Sequence, residues 1–273
     1  VGPPQRWFGP NHSDDTLDAY NRLASEFGIG PNVVHALYLV NLASPDPTQR
    51  QRSVAALIHQ MHQCERIGAL GLVVHVGSRK GLDDPSQALD MVAEGVGEIL
   101  ARSATTKFLI ENTAGMGASI GSDFADIGGI IERLGGDERL GVCLDTAHTF
   151  EAGHDYRTRD GLDRMLDEFD HAVGLERLSA VHANDSKTAF GSNVDRHENI
   201  GRGRIGDETL GYFMTHPAMA ELPFYLEVPG LLGRGPDREN VAALRRLAGL
   251  PPLPEPEDSL AEELESAAAE DLP

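Results

Sequence analysis

LGLVVHV at 70–76 and RLGVCLD at 139–145 decide how this chain folds. Each is a short, almost uninterrupted apolar run that ends close to a polar side chain, His75 in one and Asp145 in the other. Runs of this kind belong to strands covered on both faces, as in a parallel sheet flanked by helices. Working outward, the same pattern predicts strands near 32–37, 71–76, 107–112, 140–145, 178–183 and 222–228. Amphipathic periodicity predicts helices near 13–27, 48–67, 85–103, 121–134, 159–172, 206–215 and 236–248. Strand–helix alternation without a glycine fingerprint after the first strand predicts an α/β fold of the TIM-type (β/α)8 barrel class rather than an open dinucleotide-binding sheet. Six strands are predicted where a closed barrel of this type has eight, so two are expected to precede residue 1.

Composition is consistent with one such domain. The chain has 273 residues, 40% of them apolar, enough for a large core. Its formal charge is −20, and eight of the acids fall within 255–273, which contains no Lys or Arg and follows the run PPLPEP at 251–256. Residues 1–250 are therefore read as the folded domain and 251–273 as a solvated, disordered acidic tail. Without those eight acids the charge is still −12, which taken alone argues against nucleic acid, whose phosphates usually select basic surfaces. The two cysteines, Cys64 and Cys143, form no CxxC pair, so neither a disulfide scaffold nor a zinc-thiolate site is expected. No apolar run approaches the roughly 20 residues of a membrane span, and no signal peptide is visible. A cytoplasmic protein without membrane contact is expected. The first residue is Val rather than Met, which implies trimming or a start assigned inside a longer reading frame.

The polar residues at the strand ends carry the functional information. The ends read NVVHALY (His35), LVVHVGS (His75), FLIENTAG (Glu111), GVCLDTAH (Asp145 and His148), SAVHAND (His182) and FYLEVPG (Glu227). Parallel barrel strands all point one way, so these side chains converge on the face where such folds place their chemistry. Any one of them alone reads as ordinary hydrogen-bonded structure. All six strands ending this way is a different observation, because clustered buried carboxylates repel one another unless a cation neutralises them. Imidazole and carboxylate without thiolate points to zinc, manganese or iron. DRH at 195–197 places Asp195 and His197 two apart, on one side of an extended segment, and with His148 they form a second group of potential ligands.

Three blocks, FLIENTAGMG at 108–117, CLDTAHTFEAGHD at 143–155 and VHANDSKTAFGSNVDRH at 181–197, resemble the endonuclease IV family of abasic-site endonucleases. The resemblance runs from about Pro4 to about residue 248. It implies a trinuclear zinc site, with manganese or iron as alternatives at some positions. One ion would take His35, His75 and Glu111. A second would share Glu111 and add Asp145, His182 and Glu227, and a third would take His148, Asp195 and His197. Glu111, Asp145 and Glu227 are the expected catalytic carboxylates. The implied reaction is phosphodiester cleavage 5′ to an abasic sugar in double-stranded DNA, leaving a 3′ hydroxyl, together with removal of 3′-blocking groups. Tyr38 corresponds to a residue that enters the DNA at the abasic gap, and Lys187 and Ser192 are candidate phosphate contacts. PPQRW at 3–7 resembles a DNA-contacting loop, but it carries Gln5 and Arg6 where the family commonly has Arg two before the Trp. The family also begins with a strand, a helix and a second strand that this sequence lacks. Apolar edges are therefore expected near 32–37 and 222–228, with lower stability than a longer relative. A complete barrel of this kind is expected to be a monomer.

Other signals are weaker. Gly201, Gly203 and Gly206 fit GxGxxG but follow a ligand-bearing loop rather than a strand. His59 and His62 share a helix with no third ligand, and His12, His154, His171 and His216 read as structural. Two other readings remain: a divalent-metal sugar isomerase of related barrel fold, which does not need the His148–Asp195–His197 group, and an inactive truncated remnant.

Overall fold

Strands β1 (Val33–His35), β2 (Gly71–Val74), β3 (Lys107–Glu111), β4 (Leu140–Asp145), β5 (Leu178–His182) and β8 (Phe224–Tyr225) lie side by side in that order, each neighbouring pair parallel. This computed structural model describes Trp7 and residues 12–254. Arg6 and the acidic segment from 255 onward lie outside the described residues. The curved six-stranded sheet is a partial (β/α)8 barrel, as expected from the apolar runs. The strand positions agree with the sequence reading, although β8 keeps only two paired residues of the predicted 222–228.

The two faces of the sheet separate by the period-two alternation of strand side chains. Outward-facing Leu72, Val74, Phe108, Ile110, Val142, Leu144 and Val181 join the main core under the helices. Inward-facing Val73, Leu109, Cys143 and Ala180, with Val33 and Tyr225 beside them, fill the barrel interior. Two positions further along these strands come His35, His75, Glu111, Asp145, His182 and Glu227. The same alternation that packs the interior therefore stacks the polar set above it, at the C-terminal ends of the strands.

Helices α1 (Asp14–Glu26), α2 (Pro47–Arg66), α3 (Pro85–Ala101), α4 (Phe124–Arg133), α6 (Arg159–Ala172), α7 (Gly206–Thr215) and α8 (Arg238–Leu247) match their predicted positions closely. Asp46 and Asp84 cap α2 and α3, each followed by a proline in the first turn, which satisfies free N–H groups and preorganises φ. Where α4 meets α6, Gly128 is required, since a Cβ there would collide with the Ala172 carbonyl. Two features lie outside the predicted strand and helix ranges. Helix α5 (Thr146–Ala152) starts directly from β4, and Asp185–Ser186 (β6) pairs antiparallel with His197–Glu198 (β7). Both are too short to show a period, and both hold parts of the site. No helix among the described residues is long and apolar enough to cross a membrane.

Candidate metal centre

Glu111 is the centre of the arrangement. Its carboxylate is fully buried, and its two oxygens face different partners. Oε2 lies 3.0 Å from His35 Nε2 and 3.2 Å from His75 Nε2, while Oε1 lies 2.8 Å from His182 Nδ1. Glu227 Oε2 is 3.1 Å from the same His182 nitrogen. Burial opposes ionisation of Glu111, but the imidazoles of His75 and His182 and the hydrogen bonds from His182 and His35 outweigh it and hold the carboxyl well below its usual range.

Asp145 connects this set to the next. Its Oδ1 accepts the His148 backbone N–H at 2.8 Å and so caps α5, while Oδ2 accepts from Asn184 Nδ2 at 2.6 Å and lies 3.7 Å from His197 Nε2. Asp195 stands 3.4 Å from His148 Nε2 and 3.6 Å from His197 Nε2. His148, Asp195 and His197 thus lie close to one another, and Asp145 reaches both imidazoles as well. Burial opposes a charge on His148, yet the carboxylates of Asp145, Asp195 and Glu111 raise it to about 10. Asp195, also disfavoured by burial, is held at about 2 by His148 and its neighbours.

Backbone carbonyls orient the rings. His35 Nδ1 lies 2.7 Å from the Ala36 carbonyl, His148 Nδ1 3.0 Å from that of Asn112, and His197 Nδ1 3.3 Å from that of Glu227. Donation through Nδ1 aims Nε2 of each ring at the cluster, where it would offer its lone pair to a cation once its proton is lost. His182 presents Nδ1 instead, and burial pushes the Cys143 thiol in the barrel interior up to about 11.

The donor chemistry fits divalent cations. Three groups bring their candidate atoms within 4.8 Å of one another: His35, His75 and Glu111; Asp145, His148 and His197; and Glu111, Asp145, His182 and Glu227. Among the described residues, Glu111, Asp145, Asp195 and Glu227 form ion pairs with imidazoles alone and with no Lys or Arg. Anionic, oxygen- and nitrogen-rich and without thiolate ligands, the cluster suits zinc, manganese or iron.

Above it opens a cavity of about 460 Å³ lined by His35, Tyr38, His75, Thr113, Met116 and Asp195, among others. Tyr38 is 66% exposed at this mouth, its ring 5.7 Å from that of His35. Lys187 is exposed on the loop leading to Asp195, whereas Ser192 Oγ is engaged within that loop by Thr188 Oγ1 and the Val194 N–H. His154 stacks on Phe124 and reaches the Ser122 carbonyl, and His62 reaches that of Arg102, so both are structural. Sequence reasoning missed the buried Asn112 and Asn184. Asn112 Oδ1 accepts the Asp145 N–H at 2.7 Å, and Asn184 Oδ1 accepts the Glu227 N–H at 2.8 Å. The only signal for either was its place one or two residues after a ligand at a strand end, in IEN and HAN.

Residues 1–248 match the family described as xylose isomerase-like TIM barrel. A probable endonuclease 4 of Chlorobium limicola is 41% identical over 246 residues, covering 89% of this chain and 84% of that protein. One from Streptomyces coelicolor is 40% identical over 250 residues, covering 90% and 84%. The crystal structure of endonuclease IV from Thermus thermophilus superposes with a TM-score of 0.76 at 33% identity, covering 90% of this chain and 86% of that one. A D-tagatose 3-epimerase-like protein shares the fold, with a TM-score of 0.65 at 18% identity, covering 95% and 86%.

Proposed function

This chain belongs to the endonuclease IV family within the xylose isomerase-like TIM barrels, and we propose that it is a DNA-repair deoxyribonuclease cutting 5′ to abasic sites. The same site would clear blocked 3′ ends. The observation that carries this reading is the division of the Glu111 oxygens, Oε2 toward His35 and His75 and Oε1 toward His182. A carboxylate so placed between two sets of imidazoles is built to bridge two cations.

Three zinc ions are the proposed complement. His35, His75 and Glu111 would hold one, and Glu111, Asp145, His182 and Glu227 a second. His148, Asp195 and His197 would hold the third, with Asp145 alongside. When bound, such ions lower the pKa of water to about 7 and offset charge on a phosphate and its leaving oxygen. Glu111, Asp145 and Glu227 act by holding that charge in fixed positions. The Asn112, Ala36 and Glu227 carbonyls keep three imidazoles in the tautomer that presents Nε2. Four carboxylates against three divalent ions leave roughly +2 at the mouth, so local field rather than the overall −20 governs phosphate binding.

Tyr38 is proposed to enter the base stack where a base is missing, a step that is less unfavourable there than in intact duplex. Lys187 supplies a phosphate contact, and Ser192 contributes through the shape of its loop. Double-stranded DNA is the partner, and the compartment is the cytoplasm. The sugar isomerase reading has the shared fold in its favour, but it leaves His148, Asp195 and His197 without a task.

The test is a duplex carrying one abasic site, incubated with the protein as prepared and after chelation, with metal analysis in parallel. Nicking 5′ to the lesion, about three ions per chain, and loss of both on chelation are expected. A protein loaded with three ions that leaves the abasic duplex intact overturns the reading.

A further inference from the structure

Glu151 lies one helical turn beyond His148 on α5 and is fully buried. Its position in the sequence resembles an ordinary acid on a helix surface, but its contacts are with the loop between β6 and β7, which carries Asp195. Oε1 lies 2.7 Å from Ser186 Oγ and 3.0 Å from Thr188 Oγ1, and accepts the Arg196 N–H at 3.3 Å. The Glu151 backbone carbonyl accepts the Asn193 N–H at 3.0 Å, and the Phe150 carbonyl next to it accepts that of Gly191 at 3.1 Å. One turn of helix thus holds the loop at five places. Arg196, the most informative of them, sits between the donors Asp195 and His197.

We propose that Glu151 is a positioning residue for the third ion of the cluster, an inference that rests on the reading of His148, Asp195 and His197 as one group. Those three donors come from different elements. His148 is fixed in α5, whereas Asp195 lies in a loop and its side chain is 40% exposed. An unanchored loop would have to be ordered when the ion binds, and that lost freedom would weaken the site. Glu151 orders it beforehand and ties it to the helix that supplies His148. The other two donor groups draw on strand ends and need no such tie. The three donors that meet the Glu151 carboxylate all reach one oxygen, Oε1, while Oε2 has no hydrogen-bond partner among the described residues. Anchoring therefore needs an acceptor at Oε1 rather than a negative charge.

The experiment measures zinc stoichiometry and stepwise affinity by titration of the metal-free full chain, for wild type, Glu151→Ala and Glu151→Gln. Glu151→Ala is expected to weaken one of three ions by about 10–100-fold and leave the other two unchanged, the range typical of lost outer-shell support. Glu151→Gln, which keeps an acceptor at Oε1, is expected to retain three. Should Glu151→Ala fail to fold, the Ser186→Ala/Thr188→Val double variant removes two of the three side-chain anchors and is expected to weaken the same single ion. Undiminished binding of the third ion in Glu151→Ala, or in the double variant where that one stands in, overturns the inference, as does a Gln variant no better than Ala. Wild type binding fewer than three ions instead overturns the trinuclear reading beneath it.

Discussion

The phenolic hydroxyl of Tyr225, on the last strand of the sheet, donates to the carbonyl of Pro31, two residues before the first, at 2.7 Å. Among the described residues β1 and β8 are the ends of the strand order and do not pair with each other. A side chain, rather than a backbone ladder, connects them across the barrel interior, beside Val33 and the buried Val73, Leu109, Cys143 and Ala180. The edges expected from the sequence are present, and Tyr225 draws them together.

Tyr225→Phe keeps the ring and removes that one bond. Loss of a neutral hydrogen bond is expected to lower stability by about 1 kcal/mol. In a domain of this size the melting temperature should fall by roughly 2–4 °C, with metal stoichiometry unchanged. An unaltered melting temperature would show that the bond does not hold the edges.

Glu111→Gln removes the charge between His35, His75 and His182 while nearly preserving shape. Outer-shell changes alone typically reduce metal affinity or activity by about 10–100-fold, so a direct bridging donor should cost more. Elemental analysis after dialysis is expected to find at least two ions lost, with nicking reduced by more than about 100-fold. Full occupancy in this variant would mean that Glu111 bridges nothing.

Metal uptake should release protons. Although burial disfavours its charge, His148 is raised to about 10 from an ordinary value near 6.5, by Asp145, Asp195 and Glu111. Because the folded value is the higher one, protonated His148 stabilises the metal-free protein fully below about 6.5, and that contribution is lost as pH rises through about 10. A cation must displace this proton throughout the neutral range, whereas Asp195, held at about 2, is already ionised. Affinity for the ion at His148 is therefore expected to rise about tenfold per pH unit between pH 7 and 9. Calorimetry at pH 7 in buffers of different ionisation enthalpy reads the proton directly, and heats independent of buffer would contradict the assignment.

Tyr38→Ala tests recognition separately from chemistry. The ring is 66% exposed and caps the cavity beside His35. Loss of a stacking aromatic is expected to raise KM for an abasic duplex by about 5–150-fold, corresponding to about 1–3 kcal/mol per base contact. Metal content should not change. Equal KM values for the two proteins would remove Tyr38 from the DNA contact.

Much of the site was legible in the chain because it follows from near-neighbour geometry. Val73 and His75, Leu109 and Glu111, Cys143 and Asp145 are pairs two apart. In any strand, a residue two beyond an interior position points inward as well. Parallel strands then bring the polar ends together without further information, so the convergence of His35, His75, Glu111, Asp145, His182 and Glu227 was readable before any coordinates. DRH was readable for the same reason.

What only the tertiary structure decided lies in contacts between residues far apart in the chain. Nothing local to Glu151 indicates that Ser186, Thr188 and Arg196 surround it, and nothing local to Tyr225 indicates Pro31. Asp145 serves two donor groups because α5 starts immediately at its carboxylate and turns His148 back toward it. Periodicity records which way a side chain points from its own backbone. Which distant group it meets there depends on how the loops pack, and loops carry no period.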